Sequence, residues 1–390
     1  MRILICLLFA SLLAHAASAQ APYIDPREDH SHLGAAEDIL FWRVEEKVAG
    51  FRNQELLYPV RTVRRGTQTL ALPYALQDLG SIAFEYQGQQ LTIDDYFRDY
   101  NTAGLLVIKD GVIRYERYGL GNTEQTRWLS WSVTKSITSM LVGAAIKDGY
   151  IDSVDEAICD YLPRLQGSAY EGVSIRHILQ MTSGVAWDEN YSDPAADINT
   201  VYWHTLSLYR HLKQKQRLAP PGERFNYSTA ETHLVGNLLR AAIGNNLSTY
   251  LSNKIWQPFG MEHDAHWQLV SPGGGEYGGS SLGATLRDYG RIGLFALRGG
   301  ALPDGERILP ADWMTLSTEG SSANERYGYQ WWLGGEGVYR AMGIFGQTIS
   351  IDPGRQVVIA QQSAREQAST EHDWAVQAAA FEALAKAVSR

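Results

Sequence analysis

Three residues of this chain have the types and spacing to form an activated nucleophile: Ser132, Lys135 and Tyr227. Ser132 opens the run Trp131-Ser132-Val133-Thr134-Lys135-Ser136, and Ile137, Met140, Leu141, Ala144, Ala145 and Ile146 follow at the spacing of a buried helix that ends at Gly149. On such a helix a residue three positions on lies on the same face, roughly 5–6 Å away at the Cβ atoms, so the Lys135 amine can reach the Ser132 oxygen. The amides of a helix N-terminus point at charge developing beside the serine, which brings nucleophile and half of an oxyanion hole together. A serine hydroxyl needs a base, and a lysine serves only when neutral. From an ordinary value of about 10.4, half-neutrality at pH 7 takes roughly 4.6 kcal/mol, near the upper range that burial supplies. A second proton-handling group is therefore sought. Tyr227, in Phe225-Asn226-Tyr227-Ser228-Thr229, follows the turn signal Pro220-Pro221-Gly222-Glu223 and precedes the helical run Leu234, Val235, Leu238, Leu239. Placed between Ser132 and Lys135, its phenol would have its pKa lowered by the lysine charge, and the phenolate or its hydrogen bond would relay the serine proton.

The elements that must position these residues can be read along the chain. Ile39 to Phe51 has the pattern of a helix lying on the body of the fold. Gly104 to Arg117 reads as a hairpin turning at Lys109-Asp110-Gly111. Tyr150 to about Val270 alternates short helical stretches with loops and has few strand signals. Ala284 to Leu297 and Pro310 to Ser317 read as helices. Tyr327 to Leu333, Val338 to Ile351 and Val357 to Gln362 read as strands, with a turn at Asp352-Pro353-Gly354 and a closing helix from about Asp373 to Val388. Strands at both ends with helices between predict one antiparallel sheet built from distant segments, covered by the first and last helices, with a helical lobe beside it. The expected units are residues 39–150 with 280–390 as a discontinuous sheet domain, and 151–279 as the mostly helical lobe. The nucleophile would lie in the cleft between them.

The 390 residues suffice for a large core, and the net charge of −9 argues against nucleic acid or anionic membrane as partner. Arg2 before the apolar run Ile3 to Leu13, and Ala17-Ser18-Ala19 after it, predict a cleaved signal peptide over residues 1–19, followed by a mobile arm over 20–38. No later stretch reaches the ~20 apolar residues of a membrane helix, so a periplasmic or secreted protein is expected. Cys6 would leave with the signal, making Cys159 the only thiol and a buried structural one.

Ser132-Val133-Thr134-Lys135 followed by a helix into Asp148-Gly149, and Tyr227-Ser228-Thr229 after a Pro-Gly turn, resemble the motifs of class C β-lactamase-related serine hydrolases. Within that superfamily the chain is most similar to the 6-aminohexanoate-dimer hydrolase branch and the family VIII carboxylesterases. Asn190-Tyr191-Ser192-Asp193-Pro194, Tyr329-Gln330-Trp331-Trp332 and Gly343-Ile344-Phe345-Gly346-Gln347 leading to Asp352-Pro353 support this, over about Ile39 to Val388. The resemblance implies a mixed α/β (α+β) fold of β-lactamase/transpeptidase type and a carboxylesterase or amidase working through an acyl-enzyme on Ser132. Lys135 and Tyr227 would form the proton-transfer pair, and no cofactor would be required. It also implies that Tyr191 reaches over the substrate.

The chain departs from the family at two places. Ala341-Met342-Gly343 stands where a Lys-Thr-Gly motif is usual, so only the glycine is kept and the amide of Ile344 would be the second oxyanion donor beside that of Ser132. Thr229 stands where lactamases usually have Asn. A backbone donor survives side-chain change, whereas binding of a β-lactam carboxylate loses its cationic partner, so ester or linear amide substrates are favoured. Trp131 and Trp187 are candidate cleft walls with Tyr191 and Gly343.

Alternatives are a β-lactamase, a non-catalytic penicillin-binding-like protein, and an α/β-hydrolase triad. The last would use Ser281 in Gly279-Ser280-Ser281-Leu282-Gly283, with Asp352 and His372 following in order; it would need a strand directly before the serine and a helix directly after. His263-Asp264-Ala265-His266 lacks the helical i, i+4 pair with a glutamate of a zinc protease, and His30-Ser31-His32 lies in the expected mobile arm, so no metal is expected. The expected partner is a small ester or amide, with the oligomeric state unread.

Overall fold

The computed structural model describes residues 33–390. The expected signal peptide, residues 20–32 of the expected arm, and His30 and His32 lie outside the described residues. The remainder of that arm is packed: Leu33 is fully buried, and Ala36–Phe41 forms a 3-10 turn. The helix expected from Ile39 is broken at Trp42, whose indole Nε1 donates to the Ala35 carbonyl at 2.7 Å, and the first long helix, α1, runs Val44–Arg52.

Three sheets follow. β1 (Val60–Val63) belongs to a four-stranded sheet of order β1-β7-β8-β6, with β6 Trp128–Leu129, β7 Ala265–Gln268 and β8 Leu282–Ala284. β2 (Ala83–Tyr86) and β3 (Gln89–Thr92) form a separate hairpin. The main sheet has the order β5-β4-β12-β11-β10-β9, antiparallel throughout, from β4 (Thr102–Lys109), β5 (Val112–Tyr118), β9 (Trp332–Leu333), β10 (Tyr339–Gly343), β11 (Gln347–Asp352) and β12 (Val357–Ser363). The distant-segment sheet is thus present, but it is not the only one. β1 and β7 are four residues each and pair across some two hundred positions, so neither gives a long alternating run in the sequence.

Alternation along the central strands explains the layers. Leu105, Val107, Val357 and Ile359 face Val376, Ala380, Phe381 and Leu384 of the closing helix, α5 (Glu371–Val388), while Leu106, Ile108, Val358 and Ala360 face the opposite way into the main core. That second face is covered by α4 (Leu286–Leu297) through Leu286, Ile292 and Phe295. The first helix therefore does not cover the sheet, contrary to expectation. Phe51 of α1 packs instead against Trp128, Trp131 and Phe345 at the end of the nucleophile segment.

Between the sheets lies α2 (Val133–Lys147), buried over its whole length from Val133 to Ala145. A helix buried on every side must be central, and three of its hydroxyls find partners: Thr134 Oγ1 accepts the Leu282 amide, Ser136 Oγ donates to the Gln330 carbonyl and Thr138 Oγ1 to that of Gly278, while buried Ser139 Oγ has none among the described residues. Its neighbour α3 (Thr229–Ile243) is capped by Ser228, whose Oγ accepts the Glu231 amide, and ends at left-handed Gly244. Buried Cys159 sits 3.6 Å from the Tyr170 carbonyl.

His233 on α3 is 1 % exposed, accepts the Gly278 amide at Nδ1 and packs on Tyr277. Burial, with Arg240 adding to it, lowers its pKa to about 3. The unfolded chain binds this proton near pH 6.5 and the folded one does not, so stability should fall as pH drops from about 6.5 towards about 3, by roughly 1.4 kcal/mol per unit. Urea midpoints across that window should show a shallower slope in His233→Asn than in the wild type. Equal slopes would remove His233 as a source of acid sensitivity.

Candidate active site

Ser132 sits at the N-cap of α2, 7 % exposed, in a tight turn after Trp131, which adopts a left-handed φ of +49°. Lys135, 1 % exposed, places Nζ 2.9 Å from Ser132 Oγ, 2.9 Å from Thr229 Oγ1 and 2.7 Å from the Gly279 carbonyl. The helical i, i+3 spacing thus delivers amine to hydroxyl as the sequence predicts. Burial lowers the Lys135 pKa to about 8, against an opposing influence from the Glu189 carboxylate.

Tyr227 comes from the loop that leads into α3. Its hydroxyl faces that of Ser132, and its ring stacks on Trp332 at 5.7 Å and lies 5.2 Å from Lys135 Nζ. The expected lowering of its pKa is not found. Burial of the hydroxyl, with Glu189 adding to it, pushes the phenol well up. Tyr227 is therefore a neutral phenol, and of the two expected relays only the hydrogen bond remains. Lys135 is the group whose proton comes off near neutrality.

The end of β10 closes the site from the other side. A Cβ at Gly343 would stand 2.5 Å from the Ser130 carbonyl and 2.9 Å from the Ser132 amide, so only glycine lets strand and nucleophile turn approach this closely. The next residue, Ile344, is thereby brought beside Ser132, and Phe345 after it has a left-handed φ of +60°. Trp131 and Phe345 pack on each other at 5.4 Å and both on Phe51, so one aromatic cluster holds the two turns.

Trp131 and Trp187 are each 8 % exposed. Trp131 spends its ring on that cluster. Trp187 packs on Trp203 and His211 and donates its indole N–H to Glu189. Little of either ring is left to wall a cleft. Tyr191 is half-buried and donates to Glu189 Oε1 at 2.8 Å. Glu189 also accepts the Thr229 amide at 3.0 Å on Oε2 and the Thr229 hydroxyl on Oε1.

Sequence reasoning missed Glu189, and missed Gly279 as an acceptor. The signal for the first was an acidic residue between two aromatics, Trp187 and Tyr191, in the stretch already singled out.

The Ser281 triad is not assembled. Ser281 is 3 % exposed, precedes strand β8 instead of following one, and its Oγ donates to Ser280 Oγ at 3.1 Å. Asp352 takes Arg355, and His372 pairs with the Tyr100 hydroxyl at 3.1 Å. His263 and His266 lie 3.9 Å and 3.6 Å from Asp288 and Glu55, and among the described residues no group of three or more candidate ligands could hold a metal.

Comparison with known proteins places this geometry. The beta-lactamase family profile matches residues 93–382, most of the chain and every element of the site. The chain belongs to the beta-lactamase family. Within that family it is 28 % identical over 296 residues to the 6-aminohexanoate-dimer hydrolase of Paenarthrobacter ureafaciens, covering 70 % of this chain and 74 % of that one. A Bacillus anthracis structure assigned as a 6-aminohexanoate-dimer hydrolase superposes with a TM-score of 0.79 at 23 % identity, over 88 % of this chain and 94 % of that one. A family VIII carboxylesterase superposes at 0.58 and 15 % identity, over 75 % and 96 %. The β-lactamase/transpeptidase-like fold expected from the motifs is the fold of the protein.

Proposed function

We propose that this member of the family is an exported serine hydrolase that cleaves ester or amide bonds of small substrates through an acyl-enzyme on Ser132. The observation that carries the reading is the buried Lys135 amine, 2.9 Å from Ser132 Oγ and lowered to about 8. Ser132 Oγ attacks the carbonyl carbon and passes its proton to neutral Lys135, while the Tyr227 phenol donates to the serine oxygen. The amides of Ser132 and Ile344 hold the oxyanion. The tetrahedral intermediate expels the alcohol or amine, which takes the proton back from Lys135 by way of Tyr227. Water then repeats the cycle on the acyl-enzyme and regenerates Ser132. Ala341-Met342 in place of a cationic strand residue favours neutral or linear substrates over β-lactams. The likeness to 6-aminohexanoate-dimer hydrolases supports a short linear amide, and that to the carboxylesterase a short-chain ester. Among the described residues no helix is long and apolar enough to cross a membrane.

The test is hydrolysis of p-nitrophenyl butyrate, 6-aminohexanoate dimer and nitrocefin, alongside intact-mass detection of a fluorophosphonate adduct. The adduct and the turnover should vanish in Ser132→Ala and persist in Ser281→Ala. Nitrocefin as the best substrate would make the protein a β-lactamase. A wild type that acylates once without turnover would make it a penicillin-binding-like protein.

A further inference from the structure

We infer that Glu189 is a positioning residue that, through the Thr229 hydroxyl, aims the lone pair of Lys135 at Ser132. The inference rests on the reading of Ser132 as nucleophile and Lys135 as its base.

The argument is one of donors and acceptors. A neutral lysine amine has two N–H groups and one lone pair. Lys135 Nζ has three partners: Ser132 Oγ, Thr229 Oγ1 and the Gly279 carbonyl. The carbonyl can only accept, so it takes one N–H. Thr229 has a single hydroxyl proton, and it is directed to Glu189 Oε1. Its oxygen therefore offers Lys135 only a lone pair and takes the second N–H. The amine lone pair is left facing Ser132, the one partner with a proton free to give. Were the Thr229 proton turned towards Lys135, it would occupy that lone pair and the base would be blocked.

Glu189 itself is held from four sides. Oε2 accepts two groups that can only donate, the Thr229 amide at 3.0 Å and the Trp187 indole N–H, and Oε1 accepts the hydroxyls of Tyr191 and Thr229. A carboxylate is the one side chain of this size that accepts at both ends. In Glu189→Gln the amide oxygen must face the two N–H groups, which puts its NH2 against the Thr229 hydroxyl. That hydroxyl then accepts from the amide and turns its proton towards Lys135. The variant thus inverts one hydrogen bond while keeping the shape. The charged and titratable groups that face Lys135 are Ser132 on its own helix, Tyr227 from the loop before α3 and Glu189 from the Trp187–Tyr191 loop, with Tyr191 behind Glu189.

The experiment measures fluorophosphonate labelling rates and p-nitrophenyl butyrate turnover against pH, in the full chain and in Glu189→Gln, Thr229→Val, the double variant and Ser132→Ala. Glu189→Gln should lower kcat/KM by about 10- to 100-fold on the alkaline plateau, within the range of one misdirected base. Its acidic limb should move to lower pH, since the counter-charge that holds the lysine proton is gone. A merely structural role would lower the plateau without moving the limb. In the Thr229→Val background the Gln substitution has no hydroxyl to turn, so the double variant should be no slower than Thr229→Val alone. Equal losses from Glu189→Gln in both backgrounds, or wild-type rates and pH profile in Glu189→Gln, would overturn the inference while labelling confined to Ser132 leaves the nucleophile assignment standing. A wild type that does not label, or a Ser132→Ala variant that does, would overturn both.

Discussion

Lys135→Met is expected to lower kcat/KM for p-nitrophenyl butyrate by about 10³-fold, a loss typical of removing a general base. The substitution keeps an unbranched chain of similar length in a site that is 1 % exposed, and it removes a group that burial disfavours in its charged form, so the thermal midpoint should be kept or raised. The rate effect has a pH signature. The active form is the neutral amine, so wild-type kcat/KM should rise tenfold per unit below about 8 and level off above it. Burial sets that value, and Glu189 restrains it from falling further. The Met variant should lose the limb altogether. Because burial pushes the Tyr227 phenol up, no descending limb from that group should enter the measured range. A limb near 8 that survives in Lys135→Met would assign the base elsewhere.

Gly343→Ala should be nearly as damaging. The added Cβ would lie 2.5 Å from the Ser130 carbonyl, 2.9 Å from the Ser132 nitrogen and 3.0 Å from Trp131 Cβ. These are main-chain atoms or atoms fixed to them, with no flexible side chain to yield. Relief requires the end of β10 to move away from the nucleophile turn, which separates the two oxyanion donors. The overpacking itself costs about 1–3 kcal/mol, and loss of a donor at the oxyanion costs about 10²–10³ in kcat. A fall in kcat of that order, with KM less affected, is the expected outcome. Gly335→Ala serves as control: it lies between β9 and β10, and its Cβ would meet nothing within 4 Å. Undiminished kcat in Gly343→Ala would remove this strand from the oxyanion site.

The catalytic spacing was legible because it is local. Ser132 and Lys135 lie on one helix, and a helix converts sequence separation into distance without help from the rest of the fold. Tyr227 was legible as a loop-to-helix junction, and its approach to Ser132 follows from the packing of α3 beside α2. Its protonation was not legible, since it depends on how deeply the hydroxyl is buried and on a carboxylate from another loop. Glu189 stayed hidden for the same reason: the Thr229 amide and hydroxyl that it binds lie forty positions away. The hairpin of β4 and β5 follows from an apolar run, a Lys109-Asp110-Gly111 turn and an alternating second strand, and the closing helix from its periodic apolar face. The four-stranded sheet does not, because its strands are short and two of its three pairings join segments about 150 to 210 positions apart.

The order of the main sheet also sets when during synthesis the protein can come into being. β4 pairs on one side with β5, its neighbour in the chain, and on the other with β12, from Val357 opposite Lys109 to Ser363 opposite Thr102. A ribosome that has released the chain as far as Asp352 has made Ser132, Lys135 and Tyr227, yet β4 and β11 still lack the strand that joins them. The site can therefore be completed only once Val357–Ser363 has been made, although Ser132, Lys135 and Tyr227 all precede that strand by more than 120 residues. Until then the apolar edge of β4 is open, and it is the segment on which a chaperone would be expected to act.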